Sequence, residues 1–192
     1  EIPDSYISYL VAAEDHRSSF HYGVDQIGVL RALYKKFFSS EIQGASTIEQ
    51  QFTRVAIGDY SYTLQRKIKE QLLAVLLTKN RNKTDIAKAY LAIAYYGHDS
   101  EGITGITNLV GSELTLASEN QIISIVARLK YPKPTSNIGK WKELINKRKS
   151  YIKSRHEKDA NKLRQRVLRT AACGVNYKKS PAKAGLSGVN KH

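Results

Sequence analysis

Apolar residues recur every three to four positions along most of this 192-residue chain, and this spacing constrains the fold more than any other feature. The clearest example begins at Thr63, where one stripe follows a single helix face: Leu64, Ile68, Leu72, Val75 and Leu76. Leu73 and Leu77 add apolar surface on the other side, so we expect this helix to be buried nearly all round. No segment shows the alternation of a half-buried strand. The sequence therefore predicts an all-α fold class.

Other segments with helical spacing are bounded by residues that begin or end helices. Thr84 is a candidate N-cap for a helix that Gly97 would end, and Pro132 and Pro134 stop another. Beyond Gly174, the mixture of Lys, Gly, Ser and Pro predicts disorder. Besides the helix from residue 63, we predict helices over 4–13, 25–38, 47–55, 85–96, 118–129 and 141–169, with a short helix or loop over 102–111.

The net charge of +14 is concentrated at the C-terminal end. Residues 140–192 hold 16 Lys and Arg against 3 Asp and Glu, whereas the remaining residues are nearly neutral, with 15 basic and 14 acidic groups. A basic segment of this kind suits an anionic surface, either phospholipid headgroups or nucleic acid. A solvated, partly disordered tail is the commoner alternative.

The sequence has no apolar stretch long enough for a transmembrane helix and no signal peptide. It begins at Glu1 and contains no Met, so we expect that an N-terminal piece, with any membrane anchor, lies outside it. Cys173 is the single cysteine, which excludes an intramolecular disulfide and a cysteine metal site. The five histidines show no metal-ligand spacing, so we predict no metal site.

Two polar segments in the first third of the chain could carry chemistry. Glu14 and Asp15 lie where an apolar helix ends, and a partly desolvated carboxylate there could serve as an acid or base. An ordinary helix end with capping groups is the alternative. In the second segment, Ser46 or Thr47 could cap a helix, and free amides at a helix start also bind anions or sugars. A plain capping box leaves the paired glutamines at 50 and 51 unexplained.

Two further segments add a carboxylate and a set of tyrosines. Arg66 and Glu70 share a helix face, and Glu70 begins an apolar side, so its carboxylate needs a cationic partner. A surface ion pair is an equally good interpretation of this segment alone. Tyr90, Tyr95 and Tyr96 precede a glycine turn, an arrangement that suits a sugar or lipid surface but is more often part of a core.

In order, these four segments resemble the peptidoglycan glycosyltransferase domain, glycosyltransferase family 51, which occurs in class A penicillin-binding proteins and monofunctional transglycosylases. The first family motif, Glu-Asp-x-x-Phe-x-x-His-x-Gly, is matched at Glu14, Asp15, His21 and Gly23. The second, Gly-Gly-Ser-Thr-Ile-x-Gln-Gln, is matched at Gly44, Ser46, Thr47, Ile48, Gln50 and Gln51. Four motifs in the right order are a far stronger signal than any one of them.

The third family motif, Arg-Lys-x-x-Glu, is matched at Arg66, Lys67 and Glu70. The fourth, Tyr-Leu-Asn-x-x-Tyr-Phe-Gly, is matched at Tyr90, Leu91, Tyr95 and Gly97, and residues 114–117 and the region of Arg148 are similar to a fifth segment. The chain departs from the family pattern at four positions, which indicates a divergent branch: Ser18, Ala45, Tyr62 and Ala92.

The resemblance implies a lysozyme-like, two-lobed glycosyltransferase domain over residues 1–155, followed by a basic helix and tail over 156–192. The implied reaction is polymerisation of lipid II into β-1,4 glycan strands with inversion. Glu14 would be the general base, and Glu70 a second catalytic carboxylate facing it across one groove. The implied substrate-binding residues are Asp15, His21, Ser46, Thr47, Gln50, Gln51, Arg54, Arg66 and Lys67.

No cofactor is required on this resemblance, although a divalent cation, Mg²⁺ or Mn²⁺, could assist at the pyrophosphate. The implied partners are lipid II, the growing glycan strand, an anionic membrane surface and other cell-wall synthesis proteins, with no nucleic acid. The implied location is the outer, periplasmic face of the bacterial cytoplasmic membrane. Residues 34–41, with Phe37 and Phe38, are the expected membrane-facing edge.

Three other functions stay open at this point. A lysozyme-like domain with two carboxylates could be a muramidase or lytic transglycosylase that cuts glycan, although such an enzyme needs no cationic pyrophosphate site. A nucleic-acid-binding helical module would explain the basic segment but not the segments of Glu14 and Glu70. An inactive family member is the third alternative.

Overall fold

The computed structural model describes residues 1–38 and 44–177 of the chain, and this part is helical, with one short strand pair. The described helices are α1 (Asp4–Glu14), α2 (Gln26–Phe38), α3 (Ile48–Ile57), α4 (Leu64–Asn80), α5 (Lys83–Ile93), α6 (Gly102–Val110), α7 (Glu119–Lys130) and α8 (Ile138–Tyr177). Single 3₁₀ turns lie at Ser18–Phe20 and Leu114–Leu116. The predicted all-α, lysozyme-like class is confirmed.

The chain divides into two compact units, Glu1–Glu157 and Lys158–His192. The predicted boundary lay at residue 155. The core of the first unit is formed mainly by α1, α5, α6 and α7, which bury Leu10, Leu91, Ile106 and Val126 completely. Burial of each such side chain stabilises the fold by about 1.5–3 kcal/mol. In the second unit, the described residues continue α8, and the side chains of Leu163, Val167 and Leu168 are exposed.

Helix starts follow the expected capping chemistry, with one correction. Thr47 forms the predicted capping box at the start of α3, with Gln50 three residues later. Ser118 and Gln121 form a second capping box at the start of α7, which was not predicted. The predicted cap at Thr84 is wrong. Asn82 caps α5 instead, because its side-chain oxygen accepts the Asp85 N–H at 2.7 Å.

The end of α5 also differs from the prediction, because the tyrosine segment after it is extended. Strand β1 (Tyr95–Gly97) pairs antiparallel with β2 (Ser100–Glu101), and its backbone also bonds to Lys133, whose N–H donates to the Tyr96 carbonyl at 3.1 Å. Gly97 has a φ of 128°, and a Cβ there would lie 2.4 Å from the Lys133 nitrogen. The glycine therefore permits a close backbone approach that local helical spacing does not reveal.

The expectation that α4 is buried nearly all round is wrong. Its predicted stripe is largely exposed, with Leu64 at 76% and Leu72 at 62%, and the fully buried residues of α4 are Glu70 and Ala74. Helix α4 packs mainly on α3 through the polar face that carries Glu70. Phe37 and Phe38 of α2 are exposed as well, while residues 39–41 of the expected membrane edge lie outside the described part. No described helix is both long and apolar enough to cross a bilayer.

Candidate active site

A cleft of about 480 Å³ lies where the end of α1, the start of α3 and the first third of α8 meet. We call it the first cleft. Its wall is somewhat more polar than apolar, and five cationic side chains line it: Arg17, Arg31, Lys130, Lys147 and Arg148. Of the predicted site residues, those that line it are Glu14, Asp15, Ser46, Thr47 and Gln51. The first and second sequence motifs therefore come together here, as their order along the chain could not have shown.

Glu14, the last residue of α1, is held by two side chains from distant parts of the chain. Arg148 donates from Nη2 to Glu14 Oε1 at 2.6 Å, and Gln51 donates from Nε2 to Glu14 Oε2 at 3.1 Å. Arg148 also donates to the Ala13 carbonyl at 2.8 Å and lies over the Tyr151 ring. These contacts fix the orientation of a carboxylate that still faces the cleft.

The Gln51 amide is oriented by Tyr90, so the fourth motif also reaches the site. The Tyr90 hydroxyl donates to Gln51 Oε1 at 2.8 Å, which leaves the amide nitrogen pointing at Glu14. Burial raises the pKa of Tyr90 far above its ordinary value, so its hydroxyl keeps the proton that it donates. The sequence interpretation of this tyrosine as a sugar surface or core residue missed its role as a support for Gln51.

The sequence pointed to Arg148 only because its region is similar to the fifth family segment, and the contact of Arg148 with Glu14 was not predicted. One signal was available. Ile145 and Ile152 of α8 are buried, and Arg148 lies on the same helix face, three residues after one and four before the other. A cation on an otherwise apolar face needs an anionic partner inside the fold.

Glu70 has a different environment from Glu14. Its side chain is 3% exposed, and three cationic side chains surround it: Arg54, Arg66 and Lys67. We call these three residues and Glu70 together the Glu70 cluster. Arg54 binds both carboxylate oxygens, at 3.0 and 3.2 Å, while Arg66 and Lys67 make close contacts. Burial by itself raises the pKa of the Glu70 carboxyl, but hydrogen bonds from Arg54 and Lys67 outweigh it, so the pKa lies below its ordinary value.

The expectation that Glu14 and Glu70 face one another across one groove is not met. Among the described residues, Glu70 does not line the first cleft, and its link to that cleft is Lys67, whose Nζ donates to Ser46 Oγ at 3.2 Å. Arg54 lines a second cleft of about 460 Å³, which shares Ser46 and Gln51 with the first. The Glu70 cluster therefore reaches the two clefts through Arg54, which lines the second, and through Lys67, which contacts the shared residue Ser46.

Four predicted substrate-binding residues make internal hydrogen bonds, although the Gln50 amide nitrogen has no partner among the described residues. Thr47 caps α3 and donates from its hydroxyl to the Gly23 carbonyl at 2.6 Å, and Gln50 is completely buried. His21 Nε2 lies 2.9 Å from Asp15 Oδ1. Thr47 and Asp15 still border the first cleft, whereas His21 and Gln50 have no surface there, which corrects the expectation that these two contact substrate in this conformation.

A buried group of Asp15, His21 and Glu49 was missed by sequence reasoning. One ligand atom from each lies within 4.8 Å of the others, a spacing that could hold a metal ion. In this structure the ammonium of Lys83 contacts two of the three, Glu49 at 3.0 Å and His21 at 3.3 Å. Histidine spacing along the sequence could not reveal this group, because its members come together only through the packing of α3 against the segment after α1.

Residues 1–157 match the family model described as Transglycosylase. The chain belongs to the transglycosylase family. This transglycosylase domain is 38% identical over 104 residues to penicillin-binding protein 1A of Escherichia coli (strain K12), a match that covers 54% of the chain and 12% of that relative. It is 32% identical over 150 residues to penicillin-binding protein 1A of Vibrio cholerae, covering 77% of the chain and 18% of the relative.

A third relative of the transglycosylase domain, penicillin-binding protein 1F of Bacillus subtilis (strain 168), is 34% identical over 104 residues, covering 54% of the chain and 15% of the relative. The chain thus spans less than a fifth of the length of these relatives. The family model ends where the first compact unit ends, at residue 157, so the match covers the whole unit that contains both clefts.

Proposed function

We propose that this transglycosylase domain is a peptidoglycan glycosyltransferase that polymerises lipid II into β-1,4 glycan strands with inversion. The single observation that carries the proposal is the arrangement at Glu14. An oriented carboxylate faces a polar cleft that adjoins a second cleft, Arg54 lines the second cleft, and Lys67 donates to Ser46, which both clefts share. Two clefts of similar size give separate places for a donor and an acceptor.

In the proposed reaction, Glu14 acts as the general base. The 4-hydroxyl oxygen of the acceptor sugar attacks the anomeric carbon of the donor, and the hydroxyl proton passes to a Glu14 oxygen. The bond between the anomeric carbon and the pyrophosphate oxygen breaks, and the pyrophosphoryl lipid leaves with the electron pair. Attack opposite the leaving group inverts the anomeric configuration. Gln51 and Arg148 hold the carboxylate in place for the transfer.

The Glu70 cluster suits the leaving group. Three cations share one carboxylate, so the cluster keeps an excess of two positive charges, enough to balance a doubly anionic pyrophosphate. Glu70 touches these cations and has almost no exposed surface, so we propose it as a positioning residue for them. Because side chains already supply this charge, we propose that Mg²⁺ or Mn²⁺ is an accessory that assists at the pyrophosphate and not a requirement.

We also propose that the domain works at an anionic membrane surface, on the outer face of the bacterial cytoplasmic membrane, where lipid II and other cell-wall synthesis proteins would meet it. Two observations support this. Large apolar side chains of α2 and α4 are exposed, among them Phe37, Phe38 and Leu64. The residues from 140 onward carry most of the net positive charge. Deleting residues 158–192 is expected to weaken binding to anionic vesicles, and unchanged binding would leave the segment without this role.

The deciding experiment is a polymerisation assay with purified lipid II, with and without moenomycin, which blocks this family, and with a parallel incubation on purified glycan strands. Glycan formation that moenomycin inhibits is the expected result, and added EDTA should reduce it only partly. Cleavage of the strands without polymerisation would instead show a muramidase or lytic transglycosylase. The absence of both polymerisation and cleavage would support the alternative of an inactive family member. Tight DNA binding with a steep salt dependence would favour the nucleic-acid-binding module.

A further inference from the structure

We propose that Lys83 is a positioning residue that fixes the Glu14 end of α1 against the start of α3 from behind the first cleft. An ammonium group has three protons to donate. Lys83 directs them to the Ser18 carbonyl in a close contact, to Glu49 Oε1 at 3.0 Å and to His21 Nδ1 at 3.3 Å. Lys83 is the first residue of α5, so one side chain joins α5, α3 and the segment after α1.

The contact with His21 extends this connection to the residue beside Glu14. Because Lys83 donates to Nδ1, the neutral ring carries its proton on Nε2. Nε2 then donates to the Asp15 carboxylate, with separations of 2.9 and 3.1 Å to its two oxygens. Asp15 Oδ2 in turn accepts the backbone N–H of Ile48 at 3.4 Å, in the first turn of α3. The hydrogen bonds therefore close a ring that returns to α3, beside Glu49.

Of the residues in this hydrogen-bonded ring, only Asp15 lines the first cleft among the described residues. Lys83, His21 and Glu49 are absent from the described residues that line the first cleft, whereas Asp15 lines it and directly follows Glu14. On the α3 side, Ile48 directly follows the cleft residues Ser46 and Thr47. A shift of either end would misplace Glu14 relative to the bound sugars, and displacements of about 1 Å can lower a rate about 100-fold.

The charges explain why a lysine is needed at this place. The side chains of Asp15 and Glu49 are 4% and 2% exposed, and Glu49 Oε2 has no hydrogen-bond partner in the described structure. Two nearby carboxylates so far from water repel one another unless a cation lies between them. The Lys83 ammonium supplies that charge in the group of Asp15, His21 and Glu49, whose spacing would otherwise suit a metal ion.

The test compares Lys83→Met with Lys88→Met in the full chain. Lys88 lies on the same helix, five residues after Lys83, and pairs with Glu1 and Asp4 instead of with the ring of hydrogen bonds, so it controls for loss of a lysine from α5. Lys83→Met is expected to lower kcat for lipid II polymerisation about 10- to 100-fold with little change in KM. Lys88→Met should leave both constants unchanged, and Lys83→Arg should recover part of the lost kcat.

A second readout does not need catalysis. In ¹⁵N NMR of the histidine rings, His21 should show a protonated Nε2 and a hydrogen-bonded, unprotonated Nδ1, and the Nδ1 signal should move in Lys83→Met but not in Lys88→Met. The kcat prediction rests on the proposed function, whereas this signal does not. If the wild-type chain does not polymerise lipid II, the proposed function fails. The His21 Nδ1 signal would still show whether Lys83 donates a hydrogen bond to His21.

Two results would overturn the inference. One is wild-type kcat in a folded Lys83→Met, and the other is an unchanged His21 signal in that variant. If Lys83→Met does not fold, Glu49→Gln serves instead, because it removes one charge and keeps the side-chain volume. Glu49→Gln should lower kcat by a smaller factor than substitution of a residue that lines the first cleft, and it should shift the same His21 signal. An unchanged kcat or an unchanged His21 signal in this variant would equally overturn the inference.

Discussion

Glu14 and Glu70 are the same amino acid in two contrasting regions of the domain. Glu14 ends a helix at an open cleft and has two side-chain partners, Gln51 and Arg148, so part of its carboxylate faces space for a reactant. Glu70 is enclosed, and both of its oxygens are taken by three cations. The two motif glutamates therefore lie in unlike environments, which supports the proposed roles of Glu14 as a base and of Glu70 as a positioning residue for the cations.

The largest expected effect comes from removing the charge of Glu14. Glu14→Gln keeps the shape but removes the proton acceptor, so polymerisation of lipid II should fall about 10²- to 10⁴-fold or below detection. Circular dichroism should show an unchanged fold. Glu143→Gln, at an exposed position of α8, is the matched control and should retain full activity. Substantial activity in Glu14→Gln would remove the functional contrast between the two glutamates.

Glu70→Gln is expected to act on stability more than Glu14→Gln does. It leaves Arg54, Arg66 and Lys67 close together without their shared anion. Breaking a fully buried ion pair costs about 3–5 kcal/mol, and partial exposure of these cations reduces the expected loss in free energy of unfolding to about 2 kcal/mol. Urea unfolding would measure it. Equal losses in the two variants would mean that the two environments do not differ energetically.

The pH dependence of stability sharpens the same comparison. Hydrogen bonds from Arg54 and Lys67 overcome the effect of burial and hold the pKa of Glu70 below 4.5, its ordinary value. A carboxyl with a lowered pKa stabilises the fold fully above pH 4.5, and this contribution is lost as the pH falls from there through the folded-state pKa. The free energy of unfolding should therefore fall less steeply below pH 4.5 in Glu70→Gln than in wild type. Asp25 and Asp59, whose pKa values are also lowered, contribute alike to both proteins.

The smallest predicted effect concerns the support of Glu14. Tyr90→Phe removes the hydroxyl that orients Gln51 and leaves Gln51 Oε1 without this donor. One lost hydrogen bond corresponds to about 1 kcal/mol, so kcat should fall roughly fivefold. Tyr6→Phe is the control, because its hydroxyl donates to the Leu114 carbonyl instead of a cleft residue. A kcat that is unchanged in Tyr90→Phe would show that Gln51 holds its orientation without the tyrosine.

Helix periodicity predicted the main helices well, because it reflects local hydrogen bonding and side-chain spacing. It failed where contacts with distant backbone, or exposure to solvent, decide the secondary structure or the burial of a segment. The segment at Tyr95 is a strand because β2 and Lys133 offer backbone partners, and the apolar stripe of α4 is exposed because α3 takes the opposite, polar face. A stripe shows that a helix has two faces, but not which of them the rest of the chain covers.

The sequence by itself determined the helical class, the capping of α3, and the residues of the motifs, since each depends on neighbours within a few positions. Only the tertiary structure decided what these residues do. Arg148 reaches Glu14 across 134 positions, Tyr90 reaches Gln51 across 39, and Lys83 reaches His21 across 62. Contacts over such separations arise from the packing of whole helices, so the chemistry of each glutamate depends on that packing and not on its motif alone.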